Sequence, residues 1–346
     1  MKLTIKPVRA HLRGSFLAGH GSVSDRTLLL VGLERRDGLV GYGEAAPLPS
    51  YDGTSIADTE AALQACRPIL AGGEEAARAD LLARCAELAV LPQALAAIDL
   101  ALWDLEGKQA GAPVWRLLGA RAPDPVPVNW TIAAADRAGA AREAAAARSA
   151  GFGTLKAKVA IGDDSGRLAA VRAVAGPAMK IRIDANGAWS PSEAEANLRV
   201  LEPLGIELCE EPVSGVAAIR ALAQRTRIPL ALDESAADPQ ALSSRACALV
   251  CLKIARCGGI SGLLAAAERS RAAGYEVFLA STLDGPLGIA AALHAAAATG
   301  PARACGLATL PMYEGRRDPL PAHQGAIPPP RGPGLGEDLL GWYERG

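Results

Sequence analysis

The sequence predicts an α/β fold: a (β/α)8 barrel with an amino-terminal α+β capping domain that the carboxy-terminal tail completes. Three observations carry this. From about residue 125, short apolar strand-like segments alternate with Ala-rich helical ones. Before that point, strand-like segments come first and helix-like segments follow. At 346 residues the chain has room for about two domains, and its 50% apolar content supplies a sizeable core. The expected divisions are 1–122 for the cap, 123–314 for the barrel and 315–346 for a segment returning to the cap.

Residues 1–7 alternate apolar and polar like a strand. The apolar run 28–33, the turn-forming Arg36-Asp37-Gly38 and the segment 40–44 predict an antiparallel hairpin. Between 56 and 118 the spacing becomes helical, with an apolar stripe through Ala94, Ala97, Ile98, Ala101, Leu102 and Leu105. Eight barrel strands are expected at 126–132, 154–160, 180–186, 206–212, 229–235, 249–255, 275–282 and 304–309. Each of the first seven precedes a segment able to form a helix, such as 191–204 or 260–273. The tail from Gly315 is rich in Pro and Gly and is expected to run back over the cap.

Composition excludes several classes of function. Lys and Arg number 36 against 37 Asp and Glu, so the net charge of -1 gives no general attraction to nucleic acid or to an anionic membrane. Asp99 and Asp104 interrupt the best apolar run, which leaves no membrane span. The start lacks the apolar core of a signal peptide. Seven scattered Cys with no CxxC pair are expected to be reduced and mostly buried, which points to a cytoplasmic protein.

The charged residues follow strand parity. In Thr154-Leu155-Lys156-Ala157-Lys158-Val159 the two Lys share one face, and the apolar residues take the other. In a barrel the outer face meets the helices, so Lys156 and Lys158 point inward. The same alternation turns Asp184, Glu210, Asp233 and Lys253 inward on the next four strands. Each lies near a strand end, just before a turn or breaker such as Asn186-Gly187, Pro212 or Gly258-Gly259. Active sites of barrels of this type sit at that end.

Three converging carboxylates need a cation, and an all-oxygen set suits Mg2+. The four His residues (His11, His20, His294, His323) show no ligand spacing, so zinc is not expected. A magnesium ion on Asp184, Glu210 and Asp233 would keep positions open for a substrate carboxylate. Lys158, with Lys156 and a metal close by, is expected to serve as a base at neutral pH. A base beside a metal-held carboxylate suits removal of the proton α to that carboxylate through an enediolate. A small-molecule carboxylate is thus the expected partner, with no nucleic acid and no membrane.

Each tripeptide alone has a plainer reading: a solvated Lys pair, a turn at Asp184-Ala185-Asn186-Gly187, a charged strand end at Glu210-Glu211-Pro212 and a helix cap at Asp233-Glu234-Ser235. Order, parity and one-βα-unit spacing lift the set above these. Parity favours Glu210 and Asp233 over their neighbours Glu211 and Glu234 without excluding the latter. His294, in an Ala-rich helical run, reads as a packed histidine.

Lys156-Ala157-Lys158, Asp184-Ala185-Asn186, Glu210-Glu211-Pro212, Asp233-Glu234-Ser235 and 253–259 together resemble the enolase superfamily in its muconate-lactonizing-enzyme subgroup. In the cap, 41–47 and Ala101-Leu102-Trp103-Asp104 match as well. The resemblance implies that Asp184, Glu210 and Asp233 ligate Mg2+ and that Lys158 is the acid/base on one face. It places Lys253 on the other face, has Lys156 tune Lys158, and implies a homo-oligomer. It also implies that substrate is read at 14–25, 47–54, 281–284 and 306–309. Val126-Pro127-Val128-Asn129, the segment 304–309 and the segment 281–291 are similar to o-succinylbenzoate synthases, which implies syn dehydration in menaquinone biosynthesis. The alternatives are a dipeptide or N-acylamino acid epimerase or racemase, then a muconate-type cycloisomerase. Gly306-Leu307-Ala308-Thr309 lacks the Asp-x-Asp with which dipeptide epimerases hold an ammonium group, and Leu310 stands where cycloisomerases carry a Glu.

Overall fold

The computed structural model describes residues 1–18, 21–88, 91–243 and 245–344. It opens with an antiparallel sheet of β1 (Lys2–Ala18), β2 (Gly21–Glu34) and β3 (Val40–Ala45). The expected hairpin is present: Glu34 pairs with Val40 and Leu29 with Ala45, and Gly38 takes a φ of 85° in the turn. β1 runs well past the expected seven residues and pairs with β2 as far as Ala18 and Gly21.

Five helices follow: α1 (Pro49–Asp52), α2 (Ile56–Ala71), α3 (Arg78–Leu88), α4 (Pro92–Gln109) and α5 (Val114–Leu117). The whole expected stripe on α4 is buried. β3 lies directly on this helix. A Cβ on Gly43 would stand 2.0 Å from the Ala97 carbonyl oxygen, and one on Gly41 would stand 2.2 Å from that of Ala101. Any larger residue at either position would collide with helix backbone, which explains the glycines flanking Tyr42.

The second region begins with β4 (Val126–Pro127), β5 (Trp130–Ile132), α6 (Arg137–Ser149), β6 (Thr154–Lys158), α7 (Asp164–Ala175) and β7 (Lys180–Asp184). It continues through α8 (Pro191–Leu201), β8 (Ile206–Glu210), α9 (Val216–Ala223), β9 (Leu230–Leu232) and α10 (Gln240–Ser243). β10 (Leu249–Lys253), α11 (Gly259–Ala272), β11 (Glu276–Ala280) and α12 (Pro286–Thr299) complete the alternation. β5 to β11 form one parallel sheet in chain order.

Both faces of that sheet are buried, as expected of parallel strands covered by helices. Leu155, Ala157, Ile181, Ile183, Leu230, Leu232, Val250 and Leu252 join the large core shared with the helices. Leu208, Ala231, Leu249, Cys251, Phe278 and Ala280 form a separate inner cluster. Each fully buried Leu or Val contributes about 1.5–3 kcal/mol, so the alternation is strongly held in register.

Two expectations are corrected. The first barrel strand is split: Val126 and Pro127 pair antiparallel with β12 (Ala326–Ile327), and only Trp130–Ile132 joins the sheet. Proline has no N–H to donate, which suits Pro127 to a short edge pairing. The eighth strand, expected at 304–309, is reduced to single parallel bridges, Cys305 with Val128 and Gly306 with Ala280. The sheet therefore has seven regular strands; Gly306 bridges to β11 at one end of it, and Cys305 bridges to Val128, two residues before β5 at the other.

The tail ends in α13 (Gly341–Glu344) and bonds to the first region. Arg316 donates to the Arg9 carbonyl at 2.6 Å, and Leu335 N–H donates to Asp104 Oδ1 at 2.9 Å. The seven cysteines are free thiols, six of them buried. Among the described residues no helix is long and apolar enough to cross a membrane.

Candidate active site

The ends of β6, β7, β8 and β10, with the residue that follows β9, bring six charged side chains together. Lys156, Lys158, Asp184, Glu210, Asp233 and Lys253 are all buried. One carboxylate oxygen from each of Asp184, Glu210 and Asp233 lies within 4.8 Å of the others. Asp184 receives Lys156 Nζ at 2.9 Å and Lys158 Nζ at 2.7 Å. Glu210 receives Lys156 Nζ at 2.5 Å, and Asp233 receives Lys253 Nζ at 2.7 Å.

Burial alone would disfavour charge on every one of these groups. For Lys156 the Asp184 and Glu210 carboxylates outweigh burial and hold its pKa above the ordinary value. Burial opposes ionisation of Asp184 too, but Lys156 and Lys158 pull its pKa below the carboxylate range. In Asp233 the Lys253 ammonium likewise overcomes burial. Glu210 differs: burial raises its pKa, and Lys156 only partly offsets this.

The donor set fits a hard divalent cation. It is all oxygen, buried and convergent, and Glu210 Oε1 is buried with no hydrogen-bond partner among the described residues. An ion there would satisfy that oxygen. Among the described residues no His or Cys joins the group.

The neighbouring acids have other tasks. Glu211 accepts the Asp233 N–H at 2.8 Å and the Ser235 N–H at 3.1 Å, and so shapes the turn after β9. Burial pushes its pKa up to about 7. Glu234 accepts from Asn186 Nδ2 at 2.9 Å. His294 is fully buried: its Nδ1 accepts the Trp115 N–H at 3.2 Å, and Nε2 donates to the Leu335 carbonyl at 3.1 Å. It is a packed histidine that ties α12 to α5 and the tail.

Above the charges lies a pocket whose lining includes Lys156, Lys158, Lys253, Asn186, Thr131 and Ser281. All four expected substrate segments contribute to it: Phe16 and Val23, Leu48 and Tyr51, 281–283, and Gly306 with Thr309. Gly19 and His20, inside the first of these segments, lie outside the described residues. Among the lining residues there is no Asp or Glu.

Tyr51 has no counterpart among the residues singled out from sequence. It reaches from the four-residue α1 to the end of the parallel sheet, where its hydroxyl accepts from Lys253 Nζ at 2.6 Å and from Arg256 at 3.1 Å. Tyr51 then donates to Asp233 Oδ1 at 2.8 Å. Its ring centroid lies 4.0 Å from Lys253 Nζ, a cation–π contact. Only its place within the expected segment 47–54 hinted at such a role.

Comparison with known proteins agrees with this geometry. Residues 1–119 match the mandelate racemase/muconate lactonizing enzyme amino-terminal domain, and residues 139–341 match the enolase C-terminal domain-like family. The N-succinyl-L-Arg/Lys racemase of Bacillus cereus is 30% identical over 86% of this chain and 84% of its own. The o-succinylbenzoate synthase of Thermobifida fusca is 36% identical over 61% of this chain and 69% of its own. A solved dipeptide epimerase from Enterococcus faecalis, complexed with Mg and L-Leu-L-Tyr, superposes with a TM-score of 0.89. It is 26% identical, and the match covers 97% of this chain and 98% of that one.

Proposed function

Because this chain belongs to the mandelate racemase/muconate lactonizing enzyme family of the enolase superfamily, we propose that it removes the proton α to a substrate carboxylate, with Lys158 as the base. Asp184, Glu210 and Asp233 would hold Mg2+. When bound, that ion supplies positive charge to the substrate carboxylate as negative charge develops there. Lys156, bonded to both Asp184 and Glu210, fixes the two carboxylates and keeps a positive charge beside Lys158.

The reaction we assign is that of an o-succinylbenzoate synthase. Lys158 Nζ takes the α-proton of a succinyl-hydroxycyclohexadiene carboxylate, and the C–H electron pair passes into the carboxylate. The pair then forms the new ring C=C bond as the β-hydroxyl leaves, recovering the proton from Lys158 as water. Lys253 faces the ring from the other side of the site, on β10, with three strands between it and β6. We assign the cap to residues 1–122, the catalytic region to 123–314 and the tail to 315–346.

The observation that carries this reading is the pocket lining: three lysines, hydroxyls, the Asn186 amide and apolar groups, with no carboxylate. An anionic substrate suits it. A substrate ammonium would find no counter-charge on the lining, which disfavours a dipeptide with a free amino group. The presence of a second amine, Lys253, favours one further reading, racemisation of an N-acylated amino acid by two lysines acting from opposite sides.

Incubation with Mg2+ in deuterated water tests these readings, first with the cyclohexadiene substrate, then with N-succinyl amino acids and dipeptides. Rapid appearance of the aromatic product supports the synthase assignment. Slow aromatic product beside faster α-deuteration of dipeptides would overturn it.

A further inference from the structure

Asn186 reads in the sequence as part of a turn, and the turn is present. β7 ends at Asp184, whose Oδ1 accepts the Asn186 N–H at 3.0 Å. Asn186 takes a φ of 48°, in the left-handed region that Asn tolerates better than most residues, and Gly187 follows at 70°. The turn also carries the Asn186 amide into the pocket lining, where Lys158 Nζ donates to Oδ1 at 2.8 Å.

We infer that Asn186, anchored by Glu234, is a positioning residue that sets the direction of the Lys158 amine. The inference rests on the reading of Lys158 as the acid/base. Its geometry is a short chain of hydrogen bonds. Lys158 donates to Asn186 Oδ1, and Asn186 Nδ2 donates to Glu234 Oε1 at 2.9 Å. The protonated Lys158 ammonium can only donate to the amide and Glu234 Oε1 accepts from it, so one sense of the amide satisfies both neighbours. Leucine, of similar size, would satisfy neither, and aspartate would place a second carboxylate against Glu234.

The consequence for Lys158 follows from the shape of an amine. A neutral lysine has two N–H bonds and one lone pair, arranged tetrahedrally. Lys158 Nζ has two acceptors within reach, Asp184 Oδ2 at 2.7 Å and Asn186 Oδ1 at 2.8 Å. With both N–H bonds committed to them, the lone pair has one direction left. Lys158 lines the pocket beside Phe16, whose ring centroid is 5.9 Å from Nζ, and that remaining direction is assigned to a substrate held in the pocket. Without Oδ1 the amine turns about its terminal bond and spends most of its time with the lone pair aimed elsewhere. Misaimed catalytic groups cost roughly ten-fold to a hundred-fold in rate.

The test compares the wild type with N186L, E234L and E234Q. Bound Mn2+ is titrated by electron paramagnetic resonance, and turnover of the cyclohexadiene substrate is expressed per bound ion, which removes any misfolded fraction. N186L is expected to lose about ten-fold or more in kcat per bound ion, with KM and Mn2+ affinity within about two-fold of wild type. E234L is expected to fall in the same direction, and E234Q, which keeps an acceptor oxygen for Asn186, to lose less than E234L. The inference is overturned if kcat per bound ion stays within about two-fold in N186L, or if Mn2+ affinity and KM deteriorate alongside kcat. A wild type inert toward every carboxylate offered would overturn the reading of Lys158 and this inference with it. An active wild type with an unaffected N186L would overturn the inference alone.

Discussion

The Tyr51 hydroxyl lies 2.6 Å from Lys253 Nζ, joining a residue of the cap to a lysine 202 positions later at the end of β10. The same hydroxyl donates to Asp233, so one cap side chain holds both an amine and a candidate metal ligand. Y51F keeps the ring over Lys253 and deletes these two bonds together with the one that Arg256 donates. Loss of a hydrogen bond to a charged group costs about 1.5–3 kcal/mol. The expected outcome is an equal or smaller loss in unfolding free energy and a roughly ten-fold drop in any α-proton exchange that depends on Lys253, read by deuterium incorporation. Exchange at the wild-type rate would show that the hydroxyl does not position Lys253.

Removing the candidate metal ligands one at a time should separate binding from folding. D184N leaves Lys156 and Lys158 without a full counter-charge and takes one carboxylate from the oxygen set. Mn2+ affinity is expected to fall by more than about 100-fold, the upper end of the loss usual for residues behind a metal's direct ligands. Chelation of the wild type should abolish turnover, and added Mg2+ should restore it. Unchanged Mn2+ affinity in D184N would remove Asp184 from the ligand set.

The contact of β3 with α4 makes a stability prediction. G43A would bring a methyl group to 2.0 Å from the Ala97 carbonyl oxygen, a distance no pair of such atoms tolerates. The strand must move, at a cost of about 1–3 kcal/mol. Denaturant unfolding should show a lower midpoint, and an unchanged midpoint would contradict the packing.

A pH dependence is built into the contact of β3 with the start of α12 and with α13. Glu44 accepts the Gly285 N–H at 2.8 Å and the Tyr343 hydroxyl, with Asp284 and Arg26 also facing it. Burial first, and the Asp284 charge second, raise its pKa to about 8. The folded protein therefore holds this proton more tightly than the unfolded chain. Its contribution to stability is complete below the ordinary carboxylate pKa near 4.5 and is lost as pH rises toward 8. E44Q, neutral at every pH, should flatten the fall in Tm between about pH 4.5 and 8 that the wild type shows. Parallel curves for the two proteins would contradict this account.

Parity made most of the charged cluster legible. A strand buried on both sides cannot shift by one residue without exchanging its faces, so the positions of Leu155, Ile183 and Leu252 fix those of Lys156, Asp184 and Lys253. Parity alone would also have chosen Arg182, which shares a face with Asp184. Arg182 instead sits deeper in the sheet, bonded to Glu207 and the Ala304 carbonyl, each at 2.6 Å. Nearness to the strand end was therefore the criterion that mattered. What sequence reading missed depends on contacts between distant segments. Pro127 turns from the sheet because Ala326 pairs with it, and the segment 304–309 is regular for only two residues. Tyr51 stands on a helix too short to have a periodicity, and no local pattern announces that its ring lies over Lys253.

The central claim is that Lys158 takes the α-proton of a carboxylate substrate. The most direct measurement is deuterium incorporation and aromatic product formation by K158Q in deuterated water with Mg2+, beside a Mn2+ titration of the same variant. This account predicts that K158Q still binds Mn2+ but loses at least about a thousand-fold in both readouts. Exchange or turnover within about ten-fold of wild type would contradict it.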